Sequence, residues 1–164
     1  MNLPVLSLDL ATKTGWALLD RNGGFTSGMQ EFDLRRGEST GMRFLRFRKW
    51  LKEMLSLGEM GKQFSNEIPG LIVYESPHFR GGSSTQLLVG FATDVLAEAA
   101  LFGLEHLAVH SGSLKKFATG KGNSGKDEMI KKAKEFYPDV DIIDDNHADA
   151  LLLLKYGLSE IGIS

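Results

Sequence analysis

Three acidic residues, far apart in this sequence, sit in settings that suit chemistry better than they suit a core. Asp9 ends the apolar run Val5 to Leu8, and Glu75 ends the run Leu71 to Tyr74. Asp149 lies among Ala148, Ala150 and Leu151 in a helical segment. An unpaired carboxylate in such company is costly, so it wants a cation. If the two apolar runs are neighbouring strands, Asp9 and Glu75 stand side by side at one sheet edge. With Asp149 they form an oxygen-rich site without thiolates, which suits Mg²⁺ or Mn²⁺. Such ions, in pairs about 4 Å apart, activate a water and stabilise the leaving oxygen in phosphodiester cleavage. Part of this has a plainer reading. Asp9 could initiate a turn, and the acidic cluster from Asp144 could cap a helix.

The elements that must position these residues follow from pattern. Pro4 to Leu10 reads as a buried strand, Thr14 to Asp20 as its hairpin partner, and Phe25 to Leu34 as a third strand with Gly28 a candidate bulge. The Arg21-Asn-Gly-Gly24 stretch is a turn signal. Ser39 to Leu57 has helical spacing, with Ser39 or Thr40 as cap. Gly70 to Pro77 is a continuous apolar run, as a strand covered on both faces would show. A helix capped by Ser84 or Thr85 runs to Phe102, with Gly103 past its end. His106 to Val109 is a short strand, and Ser111 to Phe117 a short helix or turn. Gly120 to Gly125 is a mobile glycine-rich loop, and a helix follows to Tyr137. Val140 to Ile143 is a candidate last strand before a helix over 146–156. Three antiparallel strands followed by alternating helices and strands predict an α/β fold, a mixed sheet with helices on both faces.

The chain has 164 residues, 42% of them hydrophobic and 24% charged, which fits one globular domain over 1–164. It has no cysteine, so disulfides and thiolate metal sites are excluded, and a reducing compartment is expected. Neither a signal peptide nor an apolar stretch of membrane-spanning length is expected. The formal net charge of −2 hides two basic segments. Seven basic residues between Arg35 and Glu53 stand against only Glu38 and Glu53, and seven lysines between Ser111 and Lys134 against only Asp127 and Glu128. Each segment is either one wall of a polyanion groove beside an acidic centre or a solvated helix face.

Four short motifs, in order, resemble the RuvC-type Holliday junction resolvases of the ribonuclease H-like superfamily, including phage-borne members. Leu8-Asp9 with Thr14-Gly15 is similar to the family's first strand and Thr-Gly turn. Ile72-Val-Tyr-Glu75 is similar to its second acidic strand, and Ala148-Asp-Ala-Leu151 to its C-terminal signature. Leu114 to Lys126 resembles its lysine-bearing segment, where one lysine precedes a glycine by five residues and another follows by six; around Gly120 these are Lys115 and Lys126.

The resemblance implies a ribonuclease H-like fold with a five-stranded mixed sheet. It implies Asp9, Glu75, Asp149 and Asn146 as ligands of two Mg²⁺ or Mn²⁺ ions. Lys115 and Lys126 would stand at the scissile phosphate, with Lys116, Lys121 and Arg80 as further DNA contacts. Phe79, with His78 as rival, would stack on a junction base. The implied activity is cleavage of branched DNA to 5′-phosphate and 3′-hydroxyl ends by a cytoplasmic homodimer, with no nucleotide cofactor. The 85–102 helix is a candidate interface, although its apolar face also suits the core. Two departures stand out. The turn after Asp9 is shorter than the bacterial pattern. Position 146, where the family often has a fourth acid, is an asparagine, although Asp145 could substitute. His147 beside it is expected to be a surface residue. A catalytically weak junction-binding relative is the alternative, and an actin-like or sugar-kinase-like ATPase lobe a more distant one.

Overall fold

The computed structural model describes residues 3–61, 69–78 and 81–163. Five strands form one sheet: β1 (Val5–Asp9), β2 (Lys13–Leu19), β3 (Phe25–Glu31), β4 (Leu71–Glu75) and β5 (Glu105–Val109). The helices are α1 (Gly41–Leu57), α2 (Ser83–Phe102), α3 (Ser111–Thr119), α4 (Lys126–Phe136) and α5 (Asp145–Glu160). Strand order is β3-β2-β1-β4-β5. β1 to β3 form an antiparallel meander, while β4 runs parallel to both β1 and β5. All five residues of β1 are buried, as expected of a central strand.

Strand alternation decides what each face carries. Leu6, Leu8, Ile72 and Tyr74 pack with Phe47, Leu51, Phe91 and Val95 of α1 and α2. Val5, Val73 and Ala17 pack on the other face with Leu151, Leu152 and Met129 of α5 and α4. By the same parity Asp9 and Glu75 belong to the α5 side.

α5 lies very close to the sheet because the residues beneath it are small. Ser7 Oγ donates to the Ala150 carbonyl at 2.6 Å. A Cβ on Gly15 would stand 1.9 Å from the Asn146 carbonyl oxygen, and one on Gly157 would stand 2.5 Å from Val73. Gly15→Ala therefore cannot be accommodated without moving the start of α5. It is expected to cost about 3 kcal/mol or more, the range of severe overpacking. It should also weaken divalent-ion binding by displacing Asp149. Denaturant midpoints and Mn²⁺ titration check this, and an unchanged pair of values would contradict the close-contact argument.

Several local expectations are corrected. Val140 to Ile143 is not a strand; the Ile143 N–H donates to His147 Nδ1 rather than to a neighbouring strand. β3 stops at Glu31, and no bulge occurs at Gly28. Its register with Trp16 is unbroken, and its bare Cα makes room for the Trp16 ring. Thr40 sits at the α1 N-cap with helical backbone angles, so its hydroxyl caps nothing. α2 begins at Ser83 after Gly82, and Thr85 Oγ1 donates back to the Gly81 carbonyl. The 120–125 loop is braced: Ser124 is buried, its hydroxyl bonds to that of Thr119, and it also donates to the Lys121 carbonyl.

Four of the seven basic residues between positions 35 and 52 find partners within the fold. Arg43 donates to the Phe32 carbonyl, Arg46 pairs with Glu38, and Arg48 pairs with Asp94 of α2 at 2.6 Å. Lys52 lies 3.6 Å from Glu98. α1 lies on the face away from α5, so it is no wall of the acidic centre.

Over an 18-residue stretch the 20-residue α2 has a mean hydropathy of 1.3, enough by length and composition alone to cross a membrane. Asp94 and Glu98 interrupt an otherwise apolar helix whose Phe91, Val95 and Ala99 enter the core.

Candidate metal centre

Each carboxylate is delivered by a different element. The β1–β4 register pairs Leu8 with Tyr74, so one step further sets Asp9 beside Glu75 at the ends of adjacent parallel strands. Thr14 closes the turn after Asp9, its Oγ1 donating to the Ala11 carbonyl at 2.7 Å. Asp144 caps α5 by accepting from the His147 N–H at 2.7 Å, which fixes the helix start. Asp149, one turn in, then faces the two strand ends. One carboxylate oxygen from each of Asp9, Glu75 and Asp149 lies within 4.8 Å of the others.

The electrostatics of this arrangement are unfavourable without a cation. Burial raises the Asp9 carboxyl well above the usual range, and the negative charges of Asp149 and Glu75 raise it further. Asp149 is pushed up to about 7, mainly by burial and then by Glu75 and Asp145, although Lys115 and Lys126 oppose the shift. Glu75 is raised by burial, against the lowering influence of His78, Lys115 and the Ser111 hydroxyl. Among the described residues, nothing donates a hydrogen bond to the Asp9 carboxylate, although only 9% of the residue is exposed. Three converging carboxylates with depleted donors fit a divalent cation with oxygen preference.

The cleft beside them has a volume of about 280 Å³. Glu75, Asp149, Lys115, Lys126, Ser111 and Asp145 are among its lining residues. Lys115 comes from α3. Lys126 opens α4, with Nζ 3.1 Å from Asp145 Oδ2, and this contact raises its pKa. The structure thus brings Asp9, Glu75, Asp149, Lys115 and Lys126 to one place. Lys116 and Lys121 are exposed and do not line the cleft. Phe79 and Arg80 lie outside the described residues. His78 Nε2 is 3.7 Å from Glu75 Oε1. Asn146 uses its amide nitrogen to donate to the Lys13 carbonyl at 2.8 Å.

Sequence reasoning misplaced His147 and overlooked Ser111. His147 is buried, not a surface residue; its Nδ1 accepts from the Ile143 N–H, so Nε2 carries the proton and donates to Ser27 Oγ at 2.9 Å. Burial lowers its pKa, which keeps it neutral. Ser111 had no local signal; only the β4–β5 pairing brings the start of α3 beside Glu75.

No family model and no curated protein matches this chain. Solved structures do. The chain superposes on Thermus thermophilus RuvC with a TM-score of 0.71 at 17% identity, covering 98% of this chain and 97% of that one. The chain has a RuvC-type fold. A second match, T. thermophilus RuvC in complex with Holliday junction substrate, has a TM-score of 0.72 at 16% identity and covers 93% and 90% of the two chains. The five-stranded mixed sheet with helices on both faces is the ribonuclease H-like arrangement expected from the motifs. In this RuvC-type fold the acidic cluster lies at the ends of the two parallel central strands, where α5 crosses them.

Proposed function

We propose that this chain is a divalent-metal-dependent endonuclease that resolves four-way or other branched DNA, leaving 5′-phosphate and 3′-hydroxyl ends. The observation that carries this reading is the convergence of Asp9, Glu75 and Asp149 beside a lysine-lined cleft in a RuvC-type fold. A bound Mg²⁺ or Mn²⁺ pair would supply the charge that acidifies an attacking water and stabilises the leaving oxygen. The residues would divide the remaining work. The three carboxylates fix the ions. Lys115 and Lys126 meet the scissile phosphate and offset the negative charge that grows on it. Lys116, Lys121, Arg80 and Phe79 are proposed DNA contacts, the last by stacking. Asn146, the fourth position implied by the sequence motifs, brings only a neutral oxygen and spends its amide nitrogen on the Lys13 carbonyl. A cysteine-free, DNA-cleaving single domain suits the cytoplasm of a bacterial or phage-infected cell.

Two symmetric cuts require two sites, so the working form is proposed to be a homodimer. An apolar groove of about 580 Å³ lies between α2 and β5, lined by Pro77, Val89, Ala92, Leu96 and Ala108, among others. Leu96 and Leu101 of α2 are 42% and 66% exposed. A second copy covering this groove would bury Leu96. Leu96→Glu should shift sedimentation from dimer to monomer and reduce paired cuts to single nicks. A wild type that is monomeric on the junction would contradict the dimer.

The test of function is incubation of a synthetic four-way junction and a linear duplex with Mg²⁺. Wild type should cut the junction preferentially and Asp149→Asn should not. Equal cutting by both proteins would overturn the assignment. Binding without cutting in either Mg²⁺ or Mn²⁺ would favour a catalytically weak relative, for which the neutral Asn146 is the motive.

A further inference from the structure

Asp9, Glu75 and Asp149 can hold one ion; a second beside it would need a further oxygen ligand, and the start of α5 borders the same cleft. Three residues there are available. Asp144 is committed to the cap, accepting from the His147 N–H. Asn146 has turned its amide nitrogen to the Lys13 carbonyl, where it holds the beginning of β2, and it brings no charge. Asp145 remains. It precedes Asp149 by four residues, so the two share a helix face one turn apart. It lines the cleft with Glu75 and Asp149. A cation already sits on it, the Lys126 ammonium at 3.1 Å, at the end of a side chain that is 80% exposed and free to swing away. Near this pair stands Asp9, a residue only 9% exposed, whose carboxylate accepts no hydrogen bond among the described residues.

We propose that Asp145, rather than Asn146, is the charged ligand of a second divalent ion, and that this ion takes the position occupied by the Lys126 ammonium. The inference rests on the metal-nuclease reading above and specifies its ligand set. Arrival of the ion frees Lys126 to meet a DNA phosphate. The lysine is thereby held out of play until the metal site is full, and the α5 position four residues before the last acid replaces the position three before it. The charge count favours the exchange. Asp9, Glu75, Asp145 and Asp149 carry four negative charges when ionised, against two from Lys115 and Lys126.

Mn²⁺ binding to DNA-free protein, followed by the electron paramagnetic resonance of free Mn²⁺ at pH 8, tests this. Circular dichroism would confirm that each variant is folded. Wild type should bind two ions. D145N should keep the first and weaken the second at least tenfold, with Asp145→Ser as a substitute if D145N does not fold. N146A should keep both within threefold. K126Q, which removes the competing ammonium, should tighten the second ion at least threefold. A single ion in wild type, two unweakened ions in D145N, or loss of the second ion in N146A would each overturn the ligand assignment. An unchanged or weaker second ion in K126Q would overturn the exchange. D9N separates the two levels: if it binds both ions as wild type does, the metal-site reading itself fails.

Discussion

Asp9→Asn should abolish junction cleavage, by a factor of about 10³ or more, and at the same time make the metal-free protein more stable. The two effects have one cause. Asp9 is buried, lacks a hydrogen-bond donor among the described residues, and faces the like charges of Asp149 and Glu75. An asparagine of nearly the same shape removes one charge from that cluster and adds an N–H that its acidic neighbours can accept. In EDTA at pH 8 the gain should be about 1–2 kcal/mol, read from a denaturant midpoint at constant slope. A structural carboxylate would behave in the opposite way, since replacing it would lose stability and leave cleavage intact. Asn-substituted protein that is less stable in EDTA would contradict the account of the cluster as an unfavourable, cation-seeking site.

The second large effect concerns pH and metal together. The carboxyl groups of Asp9, Glu75 and Asp149 all ionise at higher pH in the folded protein than in the unfolded chain, Asp149 at about 7. Below about pH 4 both states hold their protons, and the cluster is neutral in its effect. Between about pH 4 and 7 the unfolded chain gives up protons that the folded chain retains, so the metal-free protein loses stability as pH rises. The loss attributable to Asp149 is on the order of 2–4 kcal/mol, complete above about pH 7. Divalent ions bind the ionised form, so they should restore stability at pH 8 and do little at pH 5. Thermal melts of wild type and Asp149→Asn at pH 5, 6.5 and 8, with EDTA or Mn²⁺, isolate this contribution. The difference between the two proteins should grow with pH in EDTA and reverse in Mn²⁺. A difference that is flat across pH would contradict the shifted titration.

Much of the fold follows from short-range pattern, because the strands that matter are central and apolar. Val5 to Leu8 and Leu71 to Tyr74 announce themselves, and each leaves its acid at the end. Asp149 was legible because helix caps explain only the first acids of 144–149, and Asp144 does cap. What sequence could not disclose was long-range closeness. His147 is buried because Ser27, 120 residues away, receives its ring proton. The basic segment of α1 read equally as a polyanion wall or a solvated helix face; that Arg48 and Lys52 meet Asp94 and Glu98 depends on a packing of α2 against α1 that no local pattern encodes. Gly28 resembled a bulge because glycine in a strand has several uses; here the use is space for Trp16. Asn146 drew notice through its sequence position, whereas Asp145 gains interest only once Lys126 is found beside it.

The most direct measurement is anomalous scattering from a crystal soaked in Mn²⁺. The account predicts a peak within about 2.0–2.3 Å of oxygens from Asp9, Glu75 and Asp149, the distance range of hard divalent ions. Mn²⁺ found only elsewhere in the molecule, with these three carboxylates unligated, would contradict it.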